Sequence, residues 1–581
     1  MTVVETAQRK RAASLEELEA KGRLVVSVEG QTICLLAEGG EVYAIDNRCP
    51  HMGFPLHRGS VSDGILTCHW HHARFDLCTG GTFDQFADDL RRFPVEVDGD
   101  DVYVDLSPPE DPLGHQRQRL YDALRLDIPL VLAKSTIALL EAEPSGVNVF
   151  AAGLEFGALR RGGGWFRGLT TLTCMMNLVP RLEEVERGAA LYHGLSDVAG
   201  DSAMQPPRFP LDPLPGSEVE PARLGRWFRR FIEVRDAEGA ERALVSAVRA
   251  GASPPELADM LFAAATDHRY LDGGHTLDFV NKALEALDTA GWDRAEGVLT
   301  SLTTQLAFAE RMEEANSWRN PVDLVALLEA AFEELPGAAA ASRRDGGDGR
   351  TALVELVLGG EPKEILDGLL IALREGASEV ELASAVSFAA ATRIARFPTS
   401  NEFGDWDTAL HTFTFANAVE QGLRRSPSPE LLRGVLDAAM SVHLDRFLNV
   451  PATRLPKPAE GADAEALLAE LPQLLDAQQQ VDAAGQLVAS YLGAGGDAER
   501  LIAALGECLL REDRNFHTIQ CVEVAVRQHE LLRGTDEARL PLIAAARYLA
   551  AHAPTARSQR QTYEIARRLH RGERIYEDDA A

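Results

Sequence analysis

Short runs of apolar and β-branched residues dominate the N-terminal part of the chain, and long helical periodicity takes over after it. Leu24-Val25-Val26-Ser27-Val28, Thr32-Ile33-Cys34-Leu35-Leu36 and Val102-Tyr103-Val104 are bounded by Gly or Asp, the pattern of short strands. Ser107-Pro108-Pro109-Glu110-Asp111-Pro112 suits neither kind of element and reads as a linker. Beyond it, residues 241–250, 255–266 and 365–374 place apolar residues every three to four positions, as one face of a helix does. The pattern predicts a multidomain chain: an N-terminal all-β domain, then a large all-α domain spanning about 116 to 572.

The helical part repeats itself. Ala247-Val248-Arg249-Ala250-Gly251-Ala252-Ser253, with Glu256-Leu257-Ala258 and Phe262-Ala263-Ala264-Ala265-Thr266, returns as Ala372-Leu373-Arg374-Glu375-Gly376-Ala377-Ser378, Glu381-Leu382-Ala383 and Phe388-Ala389-Ala390-Ala391-Thr392. Downstream, His275-Thr276, Phe279, Asn281 and Glu285 answer His411-Thr412, Phe415, Asn417 and Glu420. A weaker third copy ends in His517-Thr518-Ile519-Gln520-Cys521, and the stretch from Val149 to Asn177 reads as a degenerate first one. A period of about 125 residues is too long for a two-helix solenoid repeat, so each unit is expected to be a four- or five-helix bundle. Pro- or Gly-rich joints at 205–221, 336–350 and 451–461 suggest the divisions. The expected organisation is a flexible N-terminus over 1–14, the β-domain over 15–106 and a linker over 107–115. Helical units over 116–240 (degenerate), 241–363, 364–460 and 461–575 follow.

Composition narrows the functional classes. A net charge of −31 over 581 residues makes nucleic acid an unsuitable partner. No run of eighteen apolar residues exists, which argues against a membrane span, and the first residues lack the apolar core of a secretory signal. The seven cysteines show no disulfide spacing, as expected of a cytoplasmic protein.

Two short segments carry the chemistry: Cys49-Pro50-His51 and, after sixteen intervening residues, Cys68-His69-Trp70-His71. Each offers one thiolate and one imidazole, in the same order. Two thiolates suit one iron of a two-iron, two-sulfide cluster and two neutral imidazoles suit the other. Zinc is the rival, since Cys₂His₂ is also a structural zinc set, but zinc fingers place Cys with Cys and His with His. The segments, with Gly53, Pro55-Leu56, Gly59, Arg74-Phe75-Asp76 and Thr79-Gly80-Gly81 around them, resemble the Rieske iron–sulfur domain of the ferredoxin and oxygenase type. The resemblance implies a [2Fe-2S] cluster on Cys49, His51, Cys68 and His71, and an electron-donating reductase or ferredoxin as partner. Phe54, Trp70, Ala73 and Phe75 stand where high-potential relatives carry a disulfide and hydroxyl donors to the sulfurs. Fewer such bonds leave the reduced cluster less stabilised, and a potential near −150 mV is expected. The neighbouring His57, His69 and His72 are expected to face solvent or support the ligands.

The helical region lacks the D-x-x-H-x-x-x-x-H signature of oxygenase catalytic domains, the di-iron Glu-x-x-His pair and any phosphate-binding glycine loop. It resembles, faintly, the questin oxidase-like family of ring-cleaving oxygenases. His193, His275, His411 and His443 are its candidate functional histidines. Asp197, Asp278 and Asp407 lie one helical turn from the first three, and a carboxylate orients an imidazole in metal sites and general bases alike. His275, Asp278, His411 and Asp407 are therefore the candidate catalytic set, with a second iron as a possible cofactor and an apolar small molecule as a possible substrate. The competing reading is packing, since a motif present in every repeat often belongs to the fold. His517 fits packing, with Gln520 where a carboxylate would stand, and His115, His529, His552 and His570 read as solvated. The segment 403–406, inserted before His411 in one copy only, suggests a functional loop. The expected function is electron transfer, with the β-domain feeding an oxygen-activating site in the helical domain of an oxidoreductase. The alternative is a non-catalytic electron carrier or redox sensor whose helical region docks a partner.

Overall fold

The computed structural model describes residues 9–107, 111–216, 219–341 and 350–575. Ten short strands build three antiparallel sheets: β1 (Arg9–Ser14), β2 (Arg23–Val28), β3 (Gln31–Glu38), β4 (Glu41–Asp46), β5 (Ser60–Ser62), β6 (Ile65–Thr67), β7 (Arg74–Asp76), β8 (Arg92–Phe93), β9 (Val95–Asp98) and β10 (Asp101–Asp105). The sheet orders are β1-β10-β9, β2-β3-β4-β8 and β5-β6-β7. Tight turns join β2 to β3, β3 to β4 and β5 to β6. Their central pairs, Glu29-Gly30, Gly39-Gly40 and Asp63-Gly64, all hold positive φ, the backbone that matches the twist of a two-residue hairpin.

Strand β3 explains the uninterrupted apolar run in its sequence. Ile33 and Leu35 point into one hydrophobic core with Leu18, Phe93 and Val102. Cys34 and Leu36 point into a second with Ile45, Leu66, Phe75, Cys49 and Cys68. Cys34 is thus a core residue, and all seven cysteines are free.

The chain divides into two compact units, residues 1–144 with 561–581 and residues 145–560. In the first, helices Pro112–Leu126 and Pro129–Ala142 and the end of helix Ser558–His570 join the sheets. Residues 9–14, expected to be flexible, instead pair as β1 with β10; residues 1–8 lie outside the described residues. The linker ends at Asp111, which caps helix Pro112–Leu126 by accepting from the Gly114 amide; 108–110 lie outside the described residues.

The second unit is helical. Four of its helices, Arg167–Leu178, His275–Ala290, Phe403–Arg425 and Phe516–Leu531, close a ring in which each packs on the next. Three of them begin the repeated His-Thr motif or contain it. Their shared interior is polar. Lys282, fully buried, bonds Glu285 at 3.0 Å and Glu523 at 2.6 Å, and Gln528 donates to Asn417 and Glu420, both at 2.9 Å. Residues 403–406 form the first turn of helix Phe403–Arg425 rather than a loop, with Trp406 buried against Phe397. Pro336 likewise sits inside helix Leu324–Ala341, so the second joint starts later than its proline suggests; residues 342–349 of it lie outside the described residues.

Candidate metal centres

The first centre lies between two loops. Cys49 and His51 follow β4, and Cys68 and His71 bridge β6 and β7. Backbone bonds shape each loop: the Cys49 amide donates to the Phe54 carbonyl and the Gly53 amide to the Cys49 carbonyl, both at 2.8 Å, while the Cys68 amide donates to the Ala73 carbonyl at 2.8 Å. Gly53 turns at φ 78°, and a Cβ there would stand 3.2 Å from both the Arg48 guanidinium and the Leu569 side chain.

The two buried thiols face each other. The hydrogen bond from Cys49 pulls Cys68 down to about 6, aided by the amides of Trp70 and His71, while Cys49 rises. Burial lowers His51 to about 4 and also lowers His71, so both imidazoles are neutral near pH 7. The rings lie 4.8 Å apart, edge to face, and His51 Nδ1 is buried without a protein partner. Two adjacent thiols, two neutral imidazoles and an orphaned ring nitrogen fit a cluster with sulfur ligands on one metal and nitrogen ligands on the other. His71 is solvent-exposed, with Trp70 beside it at 4.4 Å and Phe86 against His51 at 4.9 Å. His57 is half-buried and bonds Asn47.

Helices of the first unit brace these loops. Lys134 donates to the backbone carbonyls of Pro50 and His51. Arg48 reaches the Glu573 carbonyl at 2.9 Å. His115 is not simply solvated: it meets Asp88 at 2.9 Å, and Arg119 meets the same carboxylate at 3.1 Å.

The second centre is in the helical ring. His275, His411 and His517, one from each repeat, place ligand-capable nitrogens within 4.8 Å of one another. His411 Nε2 and His517 Nε2 are 3.0 Å apart, and the His275 ring lies 4.3 Å from His411 and 5.6 Å from His517. His275 Nδ1 is buried with no partner. Burial and the neighbouring rings lower His275 to about 2 and His411 to about 4, so both are neutral donors.

Local sequence places His275. It opens its helix after Gly273 (φ 61°) and Gly274 (φ 97°). A Cβ on Gly274 would lie 2.9 Å from the Tyr270 ring and 3.0 Å from Phe415. Only glycine allows that approach together with that backbone. Phe279 stacks on His275 at 5.6 Å, and Phe516 covers it at 5.5 Å.

The expected carboxylates are present with different partners. Asp407 meets His517 Nδ1 at 3.3 Å rather than serving His411, and it accepts a hydrogen bond from Tyr548. Asp278 accepts from Gln520, and burial raises it to about 7. Gln520 stands one turn after His517, as Asp278 does after His275, and the two bond each other between neighbouring helices. The reason is geometric, since side chains one turn along neighbouring helices meet across the ring and not along their own helix. His193 is buried with Nε2 unpartnered, and burial raises Asp197 to about 7. His529 and His552 are also not solvated; their Nδ1 atoms donate to the carbonyls of Ala538 and Tyr548. His517, read from the sequence as packing, and Tyr548, not singled out there, both join this cluster. The repeated His-Thr pair signalled the first, and nothing local signalled the second.

Comparison with known proteins bears on the first centre. The Rieske [2Fe-2S] domain family matches residues 8–94. The ferredoxin component of the naphthalene 1,2-dioxygenase system of Pseudomonas aeruginosa is 34% identical over 97 residues, 16% of this chain and 93% of the relative. Apoptosis-inducing factor 3 of Homo sapiens is 38% identical over 73 residues, 12% of each chain. Among solved structures, the ferredoxin of carbazole 1,9a-dioxygenase from Nocardioides aromaticivorans IC177 matches at 28% identity and a TM-score of 0.16, over 17% of this chain and 98% of that one. Among the described residues, no helix is long and apolar enough to cross a membrane.

Proposed function

Because the chain belongs to the Rieske [2Fe-2S] family through its N-terminal domain, we propose that it is an oxidoreductase in which that domain feeds a metal centre on His275, His411 and His517. Cys49 and Cys68 would hold one iron of the cluster and His51 and His71 the other. When bound, such a cluster supplies single electrons. The exposed edge of His71 is the place where an electron donor, a reductase or another ferredoxin, would approach.

The observation that carries the second centre is the convergence of three histidines from three repeats within 4.8 Å, with a carboxylate behind one of them. Two imidazole nitrogens set 3.0 Å apart can be bridged by only one proton, whereas a cation between the three rings would be met by a lone pair from each of them. Asp407 holds His517 by its Nδ1, so its Nε2 faces the other rings; Tyr548 holds Asp407 in turn. This is the arrangement in which a carboxylate fixes the orientation and raises the basicity of a metal-bound imidazole. Phe279 and Phe516 exclude water from His275. The fourth helix of the ring, Arg167–Leu178, carries no histidine or acid, so it adds no ligand of those types. We assign iron to this centre and an oxygen-dependent reaction to the enzyme.

The test is the ratio of iron to acid-labile sulfide in anaerobically purified protein. Iron in excess of sulfide, lost in His517→Ala while the Rieske electron paramagnetic resonance signal persists, is the expected result. Equal amounts in the unaltered protein overturn the second centre. They would favour the other reading, an electron carrier with a docking region, which the match to nearly the whole length of a ferredoxin component supports.

A further inference from the structure

Beside the triad lies a cavity of about 500 Å³, and His411 forms part of its wall. That size suits a small organic ligand, since such sites span roughly 300–1,000 Å³. Most of the lining is apolar. Tyr270 and Trp318 stack at 5.8 Å with 29° between their planes, and Leu444 adds an aliphatic surface. Tyr270 is held at φ 43°, ψ 53°, a left-handed backbone that a bulky side chain adopts only when its surroundings require it.

Against this apolar wall the cavity presents hydrogen-bond acceptors. Asp445 is 5% exposed and lines the chamber. Thr412, which also lines the cavity, meets the Tyr270 hydroxyl at 3.3 Å, while Asp445 Oδ2 is buried without any partner. His443 also lines the cavity and is 4% exposed. Its Nδ1 meets the Gly360 carbonyl at 3.2 Å and must donate there, which leaves Nε2 as an acceptor in the neutral ring. A buried carboxylate oxygen left unpaired is costly, so a chamber built around one is completed by a ligand that donates.

We propose that this cavity seats an aromatic substrate bearing a phenolic hydroxyl, whose O–H donates to Asp445 while its rings pack on Tyr270 and Trp318. The ring system then lies beside His411. An aliphatic alcohol would leave the stacked aromatic wall unused, and an unsubstituted arene would leave Asp445 Oδ2 unpaired. The word substrate rests on the reading of the triad as a reaction centre; the binding itself does not.

Equilibrium dialysis of the full chain against naphthol and against naphthol methyl ether tests the assignment, with iron and labile sulfide measured on the same samples. The expected result is saturable binding of naphthol, with the ether, which lacks the donor, at least about tenfold weaker. Asp445→Leu is expected to shrink that preference. Equal binding of the two probes by the unaltered protein, which needs no variant to fold, overturns the proposal, as does absence of saturable binding or an undiminished preference in Asp445→Leu. A preference for naphthol in protein whose iron only equals its sulfide upholds the cavity and removes the triad reading. Excess iron without the preference does the reverse.

Discussion

The ammonium of Lys134 donates to the backbone carbonyl of Pro50 at 2.7 Å, which sets a cation from a helix against the loop between Cys49 and His51. Burial lowers this lysine to about 8, so it stays largely charged at neutral pH. A positive charge stabilises the more negative, reduced form of a cluster held by that loop. Lys134→Met is expected to lower the midpoint potential by about 40 mV, the equivalent of about 1 kcal/mol for one electron. Protein-film voltammetry checks it, and an unchanged potential would show that the lysine only braces the loop.

Asp407 supports His517 from behind. Asp407→Ala is expected to cut the affinity of the triad for iron by about 10- to 100-fold, the usual cost of losing such a partner. Iron beyond the labile sulfide should fall while the Rieske signal stays. Tyr548→Phe, which removes only the hydroxyl that steadies Asp407, should give a smaller loss in the same assay.

Replacing Gly274 tests how the first histidine is placed. Gly274→Ala sets a Cβ against Tyr270 and Phe415 on a left-handed backbone, and about 1–3 kcal/mol of stability should be lost. Gly251→Ala is the control: φ is 80° there, but nothing lies within 4 Å of the added carbon. Only the backbone penalty of about 1 kcal/mol remains. Thermal melts of the two variants should differ in that order.

The Asp88–His115 pair gives the first unit a pH-dependent tie. Burial works against the Asp88 carboxylate, but His115 and Arg119 outweigh it and hold Asp88 below its ordinary 3.8. Its contribution is present above that value and is lost as pH falls through the depressed one. The bond to Asp88 raises His115 above 6.5, so its contribution is full below 6.5 and is lost as pH rises through the raised value. Melting temperature should therefore contain a component that is greatest between about pH 4 and 6.5, and His115→Gln should flatten its alkaline side.

Replacing His71, the exposed one of the four candidate ligands, tests the cluster assignment. His71→Ala should abolish the Rieske-type paramagnetic signal and leave the helical circular dichroism intact. Persistence of the signal would refute the ligand assignment.

The β-domain was legible because its signals are local. Strand runs, glycine turns and two short Cys/His segments each fall within a few residues, and β2, β3 and β10 cover the runs read as strands. The histidine triad was legible in part, because duplication puts equivalent residues at equivalent heights on neighbouring helices. The pairing of Asp407 with His517 and of Asp278 with Gln520 was not, because those bonds cross between helices 110 and 242 positions apart in sequence, where spacing along one helix carries no information. The burial of His529 and half-burial of His552 escaped for a related reason: the segments around them read as solvated, while each ring Nδ1 bonds a backbone carbonyl.

The first unit takes the end of helix Ser558–His570 and the segment after it from residues 561–575, and the whole of residues 145–560 is made in between. At ~5–20 residues per second of synthesis, that interval is roughly tens of seconds. For that time Gly53 has no Leu569 against it and Arg48 has no Glu573 carbonyl to grip. The loops that carry Cys49, His51, Cys68 and His71 therefore stay without these two contacts until residues 569–573 have been synthesised.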